Sequence, residues 1–173
     1  MSKSVSHKLL QVYRRYLGQI AHLVALAPPA QLGARLSEDS FTGLQHFSIA
    51  QGYVLRAVYP ALGREVPELP ECHDVASLLA RGAEVERHLE VLEPDDFDQS
   101  RDVEVTHIAG EAQVTQSACD FIDLYALPNF FFHLSMGYAI LRTNGVSIGK
   151  GDFDGFHSYP NGFSFVTNAA ETV

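Results

Sequence analysis

The sequence predicts an all-α fold, a bundle of four helices carrying one small β-hairpin. Three observations predict it. Apolar residues recur at three- and four-residue steps over three long stretches, the period of helices with one buried face, and a fourth helical region follows. Between the third and fourth regions the period drops to two on either side of a glycine, as in a hairpin. The chain has 173 residues, 46% of them hydrophobic, and a mean hydropathy near zero, which suits one domain with one sizeable core.

The first helix is expected over 4–27. Leu9, Tyr13, Tyr16, Leu17, Ile20, Leu23 and Ala27 form its buried stripe, and Lys8, Arg14, Arg15 and Gln19 its wet face. Pro28-Pro29 stops it. The second is expected over 38–62, capped within Ser37-Glu38-Asp39-Ser40, with Phe41, Leu44, Phe47, Ile49, Val54, Leu55, Val58 and Leu62 apolar and Pro60-Ala61-Leu62-Gly63 at its end. The third, over 75–92, turns Val75, Leu78, Leu79, Gly82, Val85, Leu89 and Leu92 inward, and Glu93-Pro94-Asp95-Asp96 closes it.

Val103 and Val105 then alternate with Asp102, Glu104 and Thr106, and Gly110 marks the turn of a hairpin over 102–115. The fourth helix is expected over 117–143. Pro128 lies inside it and lacks a backbone donor, so a kink or break is expected there. Asn144-Gly145 stops it. The expected core includes Leu17, Ile20, Leu44, Leu55, Leu78, Leu89, Ile122, Phe132 and Ile140.

Connection length bears on topology. A 25-residue helix is about 37 Å long. The linker Gly63–His73, with Pro67 and Pro70 favouring extension, reaches about 36 Å. It can run the length of the bundle, so the third helix is expected parallel to the second, an up-down-down-up arrangement.

The net charge of -9 is unevenly placed: residues 65–111 hold 14 of the 21 acids and three bases, whereas residues 1–35 hold five bases and no acid. An acidic chain repels phosphate backbones, so no nucleic-acid partner is expected. No uncharged apolar run of about 18 residues occurs, so no membrane partner is expected either. Cys72 and Cys119 stand far apart, neither in a C-x-x-C pair, and no signal segment is visible. The expectation is a cytoplasmic protein with free thiols.

Two blocks of sequence are distinctive. One is Leu127-Pro128-Asn129-Phe130-Phe131-Phe132-His133, followed by Tyr138-Ala139-Ile140-Leu141-Arg142, Asn144-Gly145-Val146, Ile148-Gly149-Lys150 and Asp152-Phe153. The other is Ala34-Arg35-Leu36 followed by Asp39. Together they resemble a bacterial family of unknown function in the DinB/YfiT-like superfamily, whose members are read as metalloenzymes. The resemblance covers roughly residues 5–155. It implies a single DinB-like helical bundle domain over 1–155 and leaves 156–173 as a C-terminal extension packing on the body or across a dimer. It also implies homodimers and a divalent metal held by three histidines, one on the second helix and two on the fourth spaced H-x-x-x-H. Some members are thiol transferases using a metal-activated thiol.

On that pattern the metal residues here are His46 and His133, with zinc or nickel as the ion. The third position departs from it, because Asn129 stands one turn before His133 and Gly137 one turn after. Two imidazoles alone hold such an ion weakly, so a third protein ligand or several waters would be needed. The two histidines are expected to face one cleft between the second and fourth helices. Any metal affinity is expected to fall as pH drops through about 6.5. The alternative is a pair of histidines hydrogen-bonded in or beside the core.

Other signals are weaker. Glu84 and His88 sit one turn apart, as exposed pairs often do. Asp152-Phe153-Asp154-Gly155 fails as a calcium loop, with its glycine at the fourth position and no closing glutamate. Gly149-Lys150-Gly151 lacks the strand and helix of a dinucleotide fingerprint. Two functional classes stand. One is a degenerate metal-dependent, thiol-transferase-like enzyme. The other is a non-catalytic dimeric bundle that binds a small apolar ligand or only itself.

Overall fold

The structure, a computed structural model, describes residues 3–93, 96, 103–160 and 163–164. Helix α1 spans Lys3–Leu26. Leu9, Leu10, Tyr13, Leu17, Ile20, Leu23 and Val24 are buried along it, a helical stripe. Pro29, without a donor to lose, opens the short α2, Pro29–Leu32.

Helix α3 spans Gly43–Ala61, starting five residues later than the predicted 38. Its cap is Thr42, not the Ser37–Ser40 group. The Thr42 hydroxyl accepts from Gln45 N (3.1 Å), and Gln45 Oε1 accepts from Thr42 N (2.9 Å), a reciprocal capping box. Ser37 and Ser40 instead bond to each other across a loop that an Arg35–Thr42 bridge closes. Phe41 thus falls outside the helix and is 49% exposed. Pro60 is tolerated in the last turn, and Gly63, at φ 66°, ends the helix in the left-handed region.

Residues 64–72 run without regular structure to α4, Val75–Glu90, capped by Asp74 and Ser77. Leu78, Val85 and Leu89 are fully buried, whereas Leu79, predicted inward, is 39% exposed. The helix ends two residues before the predicted 92, and residues 94 and 95 of its expected stop lie outside the described residues.

Strands β1 (Glu104–Ala109) and β2 (Ala112–Ser117) pair antiparallel, Glu104 opposite Ser117, about a turn at Gly110 (φ 62°). Asp102 of the expected first strand lies outside the described residues. Ser117, expected to open the last helix, closes β2 and caps the short α5, Ala118–Asp120. The chain passes through one π-helical segment, Phe121–Ala126, into α6, Leu127–Thr143. Pro128 thus sits beside a break in the regular α-helix, the π segment that precedes it. It falls in the first turn of α6, and the wider π turn before it absorbs the lost hydrogen bond, Leu127 N bonding to Ile122 O.

Helix α3 packs against α1, α4, the π segment and, most extensively, α6. Phe47, Val54, Leu55, Val58, Ile122, Phe130, Leu134 and Ile140 are buried there. Phe132 was expected in this core and is 54% exposed, while Leu44 is only partly buried. Three consecutive phenylalanines point about 100° apart on a helix, so one core face cannot take all three. Phe130 is the one fully enclosed.

Helix α7, Lys150–Asp154, docks on α1 through Gln19 Nε2 to Asp152 O (2.9 Å), Arg15 Nε to Asp154 O (3.0 Å) and His22 to Asp152 (2.8 Å). Arg15 also lies over the Phe156 ring, 3.4 Å from its centre. Among the described residues no helix is long and apolar enough to cross a membrane.

Candidate functional site

His46 sits in the first turns of α3, its N–H bonded to the cap carbonyl of Thr42 (2.9 Å). His133 lies mid-way along α6. Because α3 and α6 form the main packing contact, the two rings meet. They are 2% and 8% exposed, and their Nδ1 atoms stand 2.9 Å apart.

At that distance one Nδ1–H donates and the other Nδ1 accepts, so the accepting ring carries its proton on Nε2. His46 Nε2 is buried and has no partner. A buried unpaired N–H is rarer than an unpaired acceptor, which favours His46 as the donor at Nδ1 and His133 as the acceptor. Burial first, then the neighbouring charges of His46 and Arg56, push the pKa of His133 down to about 4, and burial lowers that of His46. Both rings are neutral at pH 7, the form that ligates metals.

The setting is aromatic. The Tyr53 ring stacks on His133 (centres 5.7 Å apart, planes 24°). Phe41 meets His46 edge-on at 5.7 Å, and Phe132 meets His133 edge-on at 5.2 Å. The half-exposed Phe41 and Phe132 roof the pair against water. Behind it, the Tyr53 and Tyr125 hydroxyls approach to 3.4 Å.

No third ligand joins them: among the described residues no three His, Cys, Asp or Glu side chains gather. Asn129 donates its side-chain amide to Tyr125 O (2.7 Å) within its own helical turn. At Gly137 a Cβ would stand 2.7 Å from the Phe47 ring, so no histidine fits there. Tyr138 packs against Phe153 (5.4 Å).

Two nitrogens on one ion at about 2.0–2.1 Å lie about 3 Å apart at a right angle and about 3.4 Å apart at a tetrahedral angle. The observed 2.9 Å suits a direct hydrogen bond and needs little separation to admit an ion. The donor type, neutrality and convergence fit a divalent metal. The ligand count falls short of the three-histidine pattern.

The remaining sequence signals are absorbed structurally. His88 lies 3.4 Å from Glu84 and 3.2 Å from the Tyr59 hydroxyl. Asp154 is buried and accepts from Phe156 N (2.8 Å), from His157 N (3.1 Å) and from the His157 ring, which hold its pKa down at about 2. It fixes a turn. The Cys72 thiol points to Ser77 O, and Cys119 is half-buried. Sequence reasoning passed over Phe41, Tyr53, Arg56 and Tyr125. Tyr53 was reachable, since it follows His46 by seven residues and so shares its helix face.

The chain is mostly helical with a two-stranded hairpin, and a buried histidine pair lies between two packed helices. Residues 6–154 match the family model described as Domain of unknown function (DUF1993), and the chain belongs to that family. Its fold is similar to that of a DinB family member protein from Shewanella denitrificans, with a TM-score of 0.76 and 23% identity over 92% of this chain and 98% of that one. Comparison with curated proteins finds no match.

Proposed function

We propose that His46 and His133 form a reduced divalent-metal centre for zinc or nickel, and that the chain is a degenerate relative of metal-dependent, thiol-transferase-like enzymes. In this reading the domain over 1–155 is a four-helix bundle running up-down-down-up, with the hairpin between its third and fourth helices and 156–173 as an extension. It works in a bacterial cytoplasm. The single observation that carries the proposal is the convergence of two buried, neutral imidazoles through their Nδ1 atoms. An ion held there supplies a Lewis acid that stabilises a thiolate. The protein's own part is to keep both rings neutral, to hold His133 in place by the Tyr53 stack, and to exclude water with Phe41 and Phe132.

Calorimetric titration of tag-free protein with zinc and with nickel tests this, beside elemental analysis of the purified chain. Weak binding is expected, abolished in His133→Ala and weakened at least as much as by a neighbouring-shell change in His46→Ala. Asn129→His, which restores the H-x-x-x-H spacing, is expected to tighten it at least about tenfold. Affinity is expected to persist below the ordinary histidine pKa, since burial lowers both rings. Metal-free protein that takes up neither ion would overturn the reading.

A second reading, a non-catalytic dimeric bundle that binds a small apolar ligand or only itself, draws on surface chemistry. Phe41, Phe132, Leu124 and Ile108 are all about half-exposed or more. That apolar surface is what a symmetric interface would cover. Light scattering at micromolar concentration is expected to show a dimer, and a monomer alone would refute it.

A further inference from the structure

Helices α3 and α4 bring two like charges to one place. A Cβ built on Gly52 would lie 3.1 Å from Arg81 Nη2 and 3.2 Å from Arg56 Nη2, so both guanidinium groups close on the same small region. Among the described residues neither meets a carboxylate. Arg56 donates to Gly52 O (3.3 Å) and Ile49 O (3.5 Å), carbonyls of its own helix, and Arg81 donates to Pro70 O. Among the described residues Arg81 Nε is buried with no hydrogen-bond partner.

The pairing has a cost. Burial lowers the pKa of Arg81, and the charge of Arg56 adds to this, against an opposing influence from Cys72. Acids are not scarce nearby in sequence: the segment that holds Arg81 is the most acidic in a chain of net charge -9. Two cations left together without a carboxylate partner among the described residues, in an acidic protein, are the electrostatic outline of an anion site.

Beside Arg56 lies a cavity of about 270 Å³ between α3, the hairpin and the π segment. Arg56 lines it together with Tyr53, Val105, His107, Phe121 and Tyr125. The walls are aromatic: His107 and Tyr125 are 4.1 Å apart, Phe121 and Tyr125 are stacked at 5.8 Å, and Arg56 lies 4.2 Å over Tyr53. The volume is at the small end for ligand pockets and suits a single ring.

We propose that this cavity binds a small organic acid, its apolar ring among Tyr53, His107, Phe121 and Tyr125 and its carboxylate or phosphate held by Arg56 and backed by Arg81. The site stands independently of any metal. Tyr53 joins the two, since it lines the cavity and stacks on His133, so one ring separates a bound acid from the histidine pair.

Calorimetry on the full chain tests it with phenylacetate, benzoate and phenyl phosphate as probes, benzamide as the neutral counterpart and inorganic phosphate as the bare anion. At least one ring-bearing anion is expected to bind at millimolar concentration or below, at least about tenfold tighter than benzamide, and more weakly in high salt. Tighter binding of phenyl phosphate than of the carboxylates identifies a phosphate monoester as the ligand type, and the reverse identifies a carboxylate. Arg56→Gln and Arg81→Gln are each expected to weaken binding at least about tenfold. Arg56 is exposed and, among the described residues, bonded only to its own helix, so an unchanged melting temperature in Arg56→Gln separates lost binding from lost fold. Failure of every ring-bearing anion to bind, equal binding of benzamide, or full affinity in Arg56→Gln with its fold intact would overturn the proposal.

Discussion

Acidification from pH 7 to pH 4 is expected to destabilise the fold by as much as about 3 kcal/mol through His133. A histidine in the unfolded chain titrates near 6.5, whereas His133 in the fold titrates at about 4. Between those values the unfolded chain takes up a proton that the folded one refuses. The stabilising contribution is therefore complete above about 6.5, shrinks as pH falls, and is gone once pH passes below about 4. His46, lowered by burial, adds in the same direction. Asp154, with its pKa held down at about 2, loses its contribution only below the ordinary aspartate range, so the two effects separate on the pH axis. Urea unfolding at half-unit steps from pH 7 to 4.5 measures the slope, and His133→Gln should flatten it. A stability that stays level across that window would mean that His133 is hydrated in the fold.

The same pair shows what the sequence made legible. Helices α1 and α4 were readable because their apolar residues repeat at helical steps and prolines, Pro28-Pro29 and Pro94, follow them. The start of α3 was not, because Ser37-Glu38-Asp39-Ser40 has cap chemistry too. Only the reciprocal Thr42–Gln45 bonds select the later start. The π segment was also hidden: Pro128 announces a lost hydrogen bond but not how the backbone absorbs it.

At the site, the meeting of His46 and His133 is what the family resemblance implies rather than what helix pattern gives, and their rings do face each other. Their surroundings could not be anticipated. Phe41 reaches His46 only because it lies in the loop before the cap, and Phe132 reaches His133 only because Phe130 has taken the core position. Arg56 and Arg81 are 25 residues apart on different helices, and their approach depends on how α3 packs on α4 at Gly52. Local pattern fixes which face of a helix is buried. It does not fix which residues of two helices come opposite each other.

Gly137 illustrates how that pairing limits the chemistry. Gly137→His, which would complete a histidine pair one turn apart on α6, is expected to cost about 3 kcal/mol and to yield no tighter metal site. The Cβ alone would stand 2.7, 2.8 and 2.9 Å from three atoms of the Phe47 ring, all closer than side chains pack. Phe47 is itself fully buried, so the ring has little room to retreat and the strain passes into the α3–α6 contact that holds His46 against His133. Gly137→Ala isolates the steric part and should cost about 1–3 kcal/mol by itself. Phe47→Leu in that background removes the ring edge and should recover part of the loss, a coupling that a double-mutant cycle reads directly. Asn129→His, half-buried on the same helix one turn the other way, should cost far less. Thermal and urea unfolding of these variants decide the matter. A Gly137→Ala protein as stable as the parent would show that Phe47 yields, and the loss of the third histidine would then need a cause other than packing.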